Sequence, residues 1–311
     1  MHHTPSNPND PGNGRRSGPG TGDRSLRMLP LTVWLCSDHS AQPDHANKPS
    51  TVPAPRSATS RNSEICARHR QAVGRELARH LISLCTREGD VVAEAFTASE
   101  ATLVAATELD RRGLALVPHF PLAQHIGSRL RAALPEHRLR QVAMRPCRPD
   151  QMARGLADHL GEVGLVLAAP PPYESGGGIP KKRIDRDCPA CRAEVWMLSS
   201  EQLGVFLAAA WKVLCPGGVL ALITTARHEN NRLIDPAPRL IRQAQGLGFR
   251  YAQHVIALRV PIEGDRLMVQ AGPADLAEIR QVGSRALPPA VCVHADVCLL
   301  QKPQPQSGGA R

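Results

Sequence analysis

From about Ser63 onward, short apolar runs alternate with stretches whose apolar residues recur every three or four positions. Ile65–Thr86 has apolar residues at 66, 73, 77, 81 and 85, the spacing of one helix face. Gly89-Asp90 then opens Val91–Phe96, a short apolar run that reads as a buried strand. Helices are predicted over Ser99–Arg112, with Ser99 as N-cap, and over Pro121–Leu134 and Gln151–Leu160. Strands are predicted at Leu114–Val117, Gln141–Met144 and Val163–Ala169, the last being the most apolar. A helix from Ser199 or Ser200 to Leu214 leads through Pro216-Gly217-Gly218, read as a turn, into a strand at Val219–Thr224. A helix over Pro238–Gly246 and strands at Tyr251–Val260 and Ala290–Leu300 complete the pattern. Strands alternating with helices of this length imply a doubly wound α/β fold. Its sheet should be mostly parallel, with an antiparallel edge contributed by the last two strands.

Outside this region the pattern disappears. Residues 1–28 are polar and rich in Pro, Gly and Asn, and read as a disordered tail. Leu29–Cys36 is a short apolar piece, readable as a docked strand, within an extended arm that runs to residue 62 and carries Pro43, Pro49, Pro53 and Pro55. The main domain is expected at 63–300 and a flexible tail at 301–311. No apolar run approaches the ~18–20 residues of a membrane span, and the N-terminus lacks the apolar core of a secretory signal, so a cytoplasmic protein is expected.

Composition narrows the picture a little further. Lys and Arg number 38 against 28 Asp and Glu, a formal charge of +10, which favours a polyanionic partner. Most of that charge is arginine, however, and the Ala-rich composition suggests a contribution from genomic base usage. The 3% aromatic content excludes a binding face built from rows of stacking rings. The nine cysteines are scattered and, without a signal, read as thiols rather than a disulfide framework.

In open parallel sheets, ligands bind outside the carboxyl ends of the strands. One of those ends here reads Val166-Leu-Ala-Ala-Pro-Pro-Pro-Tyr-Glu174. Consecutive prolines lack N–H donors and leave stiff, free carbonyls, which beside a tyrosine can hold a planar heterocycle bearing an exocyclic amine. A proline-rich turn leaving an edge would read the same way. The segment resembles the signature of the amino-group-specific DNA methyltransferases (N-4 cytosine and N-6 adenine type), in which Asp, Asn or Ser is followed by Pro-Pro-Tyr. Pro171, Pro172 and Tyr173 match, and Pro170 stands where the family has its polar residue. The family's cofactor motif, G-D-x-V-x-D-P-F-x-G-S-G-T-T, is similar to Gly89-Asp-Val-Val-Ala-Glu-Ala-Phe-Thr-Ala-Ser-Glu-Ala-Thr102. Leu214-Cys-Pro-Gly-Gly-Val-Leu220 resembles the L-x-P-G-G turn common among methyltransferases that use S-adenosylmethionine. Together the motifs keep their order over roughly residues 34–300.

The resemblance implies a Rossmann-like class I methyltransferase fold and S-adenosylmethionine as cofactor. It assigns Glu94, Phe96, Ala98, Glu100, Thr102 and Val117 to the cofactor, and Pro170, Pro171, Pro172 and Tyr173 to the catalytic pocket. The departures from the family are specific. Ala98 and Glu100 replace glycines, and Glu94 replaces Asp. The position of the ribose-binding acid falls at Val117 or Pro118, with His119 beside it. Glu100 could bind the cofactor's ammonium or fill its pocket. Pro170 removes the side-chain acceptor for the target amine and leaves the carbonyls.

After Tyr173, Gly176-Gly-Gly178 precedes Lys181, Lys182, Arg183, Arg186 and Arg192, a basic loop readable as a nucleic-acid clamp or as a solvated loop. Cys188-Pro-Ala-Cys191 in that loop lacks the second ligand pair that would indicate zinc, and the histidines show no ligand spacing, so no metal is assigned. The resemblance implies methylation of an exocyclic base amine in DNA. Two alternatives remain: an RNA methyltransferase, and a pseudo-methyltransferase that binds nucleic acid or a protein through the retained scaffold.

Overall fold

A computed structural model of the chain describes residues 33–37, 73–170, 188–194, 200–229, 232–259, 262–263, 266–267 and 294–304. The strands are β1 (Val33–Leu35), β2 (Val91–Ala95), β3 (Arg112–Leu116), β4 (Val142–Arg145), β5 (Val163–Ala168), β6 (Leu214–Thr224), β7 (Arg227–Glu229), β8 (Arg232–Ile234), β9 (Arg250–Leu258), β10 (Ile262–Glu263), β11 (Arg266–Leu267) and β12 (His294–Gln301). The helices are α1 (Arg75–Cys85), α2 (Ala101–Glu108), α3 (Phe120–Ala133), α4 (Glu136–Leu139), α5 (Met152–Gly155), α6 (Pro189–Glu194), α7 (Ser200–Val213) and α8 (Ala237–Gly246).

Eight strands form one sheet in the order β1-β9-β12-β6-β5-β2-β3-β4. Every pairing is parallel except those of β12 with β6 and β9. The antiparallel pairing is therefore on the predicted side of the sheet, and β1 docks parallel beyond it. β2 and β5 are adjacent, with Glu94 opposite Leu167 and also opposite Ala115 of β3. Both central strands are buried along their whole length, as a parallel sheet covered on both faces requires. One face packs Ala93, Leu116, Val166 and Leu220 against Phe206 and Leu207 of α7 and Leu240 of α8. The other packs Val92, Leu165 and Ala221 against Leu77, Leu81 and Ile82 of α1. Ala115 and Val117 meet Leu103 of α2 and Leu122 and Ile126 of α3 in a third cluster.

Several predicted elements differ in detail. The helix over 99–112 is shorter, ending at Glu108 because β3 already begins at Arg112. Ser99 is not its N-cap: that position is Glu100, and the Ser99 hydroxyl accepts a 3.4 Å bond from the Ala101 N–H. The helix over 151–160 is instead a 3-10 turn at Pro149–Gln151, one turn of α5 and a second 3-10 turn at Ala157–His159.

The segment read as a turn at Pro216–Gly218 belongs to β6. Val163 of β5 faces Leu214 and Leu165 faces Val219, so four residues bulge outward between the paired ones. The bulge is filled by the chain's C-terminal end, since the Gly217 N–H donates to the Lys302 carbonyl and the Lys302 N–H to the Gly218 carbonyl, both at 2.9 Å. The Lys302 ammonium donates to the carbonyls of Trp211 (2.8 Å) and Leu214 (2.7 Å), a cation placed on the negative end of α7. Gln301 and Lys302 are thus part of the sheet rather than of the tail.

This closure depends on Gly218. A Cβ there would lie 2.9 Å from the Cys215 carbonyl oxygen and 3.0 Å from that of Val163, both fixed backbone atoms. Gly218→Ala should cost about 1–3 kcal/mol of unfolding free energy. Gly204→Ala, in α7 with nothing within 4 Å of the added methyl, should instead stabilise by roughly 0.5–1 kcal/mol. Urea denaturation of the two variants side by side checks both signs.

Candidate functional site

The carboxyl ends of β2, β3 and β5 lie side by side, and three connections leave from them: residues 96–100 into α2, Val117–His119 into α3, and Ala169-Pro170. Among the described residues, this edge carries the only fully enclosed carboxyl group. Glu94 is 2% exposed, and its Oε2 has no hydrogen-bond partner. Burial pushes the carboxyl up to about 8; the Thr102 and Thr97 hydroxyls oppose the rise and the Glu100 carboxylate adds to it. Thr102, at the start of α2, is 1% exposed, and its hydroxyl acts on the Glu94 carboxyl without forming a well-aligned hydrogen bond. The Thr97 hydroxyl donates to the Glu94 carbonyl at 3.1 Å and fixes the turn.

Phe96 is the strained residue of this turn, with φ at +60°. A bulky side chain in that region costs about 1–3 kcal/mol and persists only where the surroundings impose it. The surroundings here include Phe206 of α7, whose ring meets Phe96 edge-on at a centroid distance of 5.1 Å. Ala98 is buried and has no positive φ, and Glu100 sits at φ −80°. The two positions where the family has glycine therefore make no left-handed demand in this chain. Glu100 is paired: its carboxylate accepts a 2.6 Å charged bond from Arg129 of α3.

At the end of β3, Val117 is buried and its N–H donates to the Arg145 carbonyl, so its amide is already engaged and its side chain offers no hydrogen bond. Two residues on, the Nδ1 of His119 is buried without a partner. Burial and the nearby Arg192 guanidinium hold that imidazole below its usual range, so it is neutral at pH 7. Pro170 is half-buried just after β5. Pro171, Pro172, Tyr173, Lys181, Lys182, Arg183 and Arg186 lie outside the described residues; Arg192 is exposed on α6.

Cys188 and Cys191 are buried against Ala98, Val117 and Leu122, so the Cys-Pro-Ala-Cys segment packs over α3 beside the loop that leads into α2. Among the described residues no set of three His, Cys, Asp or Glu side chains is arranged to hold a metal ion, and no cysteine is in a disulfide. Sequence reasoning missed one polar cluster. His254 of β9 donates through Nε2 to Asp296 Oδ1 of β12 at 2.9 Å, with His294 Nε2 at 3.8 Å from the other carboxylate oxygen. Only the β9–β12 register could have revealed it, because the residues are some 40 positions apart.

No protein-family model matches this sequence, and no curated protein does. Solved structures with a similar arrangement include TrmN from Thermus thermophilus, at 18% identity and a TM-score of 0.44 over 75% of this chain and 50% of that one. Another is precorrin-6y C5,15-methyltransferase from Geobacter metallireducens, at 14% identity and 0.43 over 73% and 89%. A third is 1,6-didemethyltoxoflavin-N1-methyltransferase from Burkholderia thailandensis with bound S-adenosylhomocysteine, at 14% and 0.37 over 73% and 77%. The chain therefore spans half the length of the TrmN chain it resembles.

A buried acid titrating near 8 leaves a signature in stability. Glu94 has a folded pKa above its unfolded value of about 4.5, so its contribution is fully present below pH 4.5 and is lost as pH rises through about 8. Glu94→Gln should remove this loss. Between pH 5 and 8 the wild type should lose stability at up to ~1.4 kcal/mol per pH unit from this group, while the variant stays flatter and is the more stable at pH 8. Urea midpoints across that range measure it.

Proposed function

We propose that this protein binds S-adenosylmethionine at the carboxyl edge of β2 and transfers its methyl group to an exocyclic amine of a nucleic-acid base, DNA being the substrate most in keeping with the Pro-Pro-Tyr segment. The observation that carries the reading is the enclosed Glu94 carboxyl at the end of the central strand, whose Oε2 makes no well-formed hydrogen bond and on which only the Thr97 and Thr102 hydroxyls act among the described residues. Burying polar groups without partners costs free energy, and a ligand that supplies the missing bonds recovers it. The residues present fit the cofactor in three respects. Glu94 and Thr102 offer an acceptor and a hydroxyl, Ala98 and Glu100 adopt ordinary backbone angles, and His119 offers a neutral ring nitrogen where the family places its ribose-binding acid.

When bound, S-adenosylmethionine supplies an electrophilic methyl on a sulfonium. This chain's residues supply binding and alignment. Glu94, Thr102 and His119 hold the cofactor through the groups just named. Pro170 and the prolines after it offer only carbonyls to a target amine, so orientation of its lone pair falls to backbone acceptors, and in-line positioning carries the rate enhancement. Tyr173 stacks the extruded base. Lys181, Lys182, Arg183, Arg186 and Arg192 contact phosphates, which makes affinity salt-dependent without reading sequence.

Titration calorimetry with S-adenosylmethionine and S-adenosylhomocysteine tests the cofactor assignment. Both should bind the wild type, and Glu94→Ala should weaken binding about 10- to 150-fold, the equivalent of the ~1.5–3 kcal/mol of a hydrogen bond to a charged group. The absence of any binding heat or protection would sink the reading and leave the scaffold as a binding module. Pro170→Asp restores a side-chain acceptor and should raise the rate of labelled-methyl transfer to duplex DNA. Transfer to RNA in preference would move the substrate class. Replacing Lys181 and Lys182 with Ala should flatten the salt dependence of DNA affinity for every sequence tested.

A further inference from the structure

The two carboxylates of the cofactor loop are treated differently by the fold. Glu100 has its counter-ion in Arg129 at 2.6 Å. Glu94 has none. Its strand neighbours place Ala115 and Leu167 opposite it, and the hydroxyls of Thr97 and Thr102 act on it from the loop and from α2. By strand alternation Glu94 lies on the Val92 and Ala115 face of the sheet, away from Phe206 and α7. Among the described residues the one charged group acting on it is Glu100, of like sign, itself paired with Arg129 of α3. An enclosed carboxylate without a cation is too costly to persist, so such a group keeps its proton.

Resting on the cofactor reading above, we propose that binding at this site is proton-coupled: Glu94 is the neutral acid in the free protein and releases its proton to solvent when a cationic group of the ligand docks against it. In the step, the carboxyl O–H bond breaks, the proton passes to a buffer base, and the resulting carboxylate pairs with the ligand's cation. The site thereby selects for cationic ligands. An uncharged analogue of the same shape would leave the proton in place. Burial that pushes the carboxyl up to about 8 keeps it protonated across the neutral range.

The test is calorimetry of S-adenosylmethionine binding to the full chain at pH 7 in buffers of different ionisation enthalpy. Roughly 0.5–0.9 proton should be released per ligand bound. From pH 6 to 7 the affinity should rise about 5- to 9-fold, in a window where an α-ammonium stays mostly charged. Glu94→Gln should abolish both effects while still binding, more weakly. Glu94→Asp should retain proton release. S-Adenosylhomocysteine keeps the ammonium and lacks the sulfonium, so equal release with it assigns the ammonium as partner, and release with S-adenosylmethionine alone assigns the sulfonium. Binding whose heat is independent of buffer and whose affinity is flat with pH overturns the proton coupling and leaves the cofactor reading standing. No binding in any buffer overturns both.

Discussion

The enclosure of β2 on both faces is the constraint from which the rest of the site follows. All five residues of that strand are buried, with covered parallel strands on either side. A carboxyl group near its end cannot reach water, and it is the sole acidic side chain among the buried described residues. The fold therefore has to provide it with a counter-ion, with donors, or with a proton. Among the described residues it provides two hydroxyls and no cation, which is a poor solvation shell for an anion and an adequate one for a neutral acid. A core position that gained only packing from its side chain would be better served by Leu or Met. The cost of keeping glutamic acid here is offset only if a ligand completes its contacts.

Backbone strain at Phe96 belongs to the same arrangement. The chain must leave a buried strand and reverse into α2 within five residues, and it meets that demand with a left-handed residue at position 96. Once the turn is taken there, positions 98 and 100 are free to use ordinary angles and need no glycine. Phe96 is held by the Phe206 ring rather than by any advantage of its own, so the loop and α7 are mechanically tied. Ala98 and Glu100 are consequently compatible with this turn without glycine.

The alternation of strands and helices, and the adjacency of β2 and β5, were legible because apolar runs of five or six residues between amphipathic helices have few other solutions. What could not be read shares one cause: it depends on partners distant in sequence. Pro216-Gly217-Gly218 has the composition of a turn, and becomes part of β6 only because residues 301–302 return to pair with it. The Gln151–Leu160 pattern suits a helix, but the chain there is a series of single turns packed on α7. Within the site, the identities of Glu94 and Thr102 were visible from the motif, whereas the absence of a cation beside Glu94 was not. Nor could the role of Glu100 be read, since Arg129 lies 29 residues away on another helix.

That Glu100–Arg129 pair decides how the site's charges divide. Its carboxylate side chain is 16% exposed, so the pair is sheltered enough to hold its geometry and wet enough to avoid a large desolvation cost. With Glu100 anchored to α3, the loop is fastened at both ends, by Phe96 on α7 and by Glu100 on the opposite layer of helices. This edge of the sheet is thus spanned by a short segment whose two anchors come from the two faces of the sandwich. Flanking the anchors, Glu94 Oε2 and Thr102 Oγ1 make no well-formed hydrogen bond, nor does His119 Nδ1 on the adjacent connection. Unsatisfied polar atoms are rare in a folded interior, and three of them gathered at the carboxyl edge of neighbouring parallel strands place the unmet demand where open α/β sheets bind their ligands.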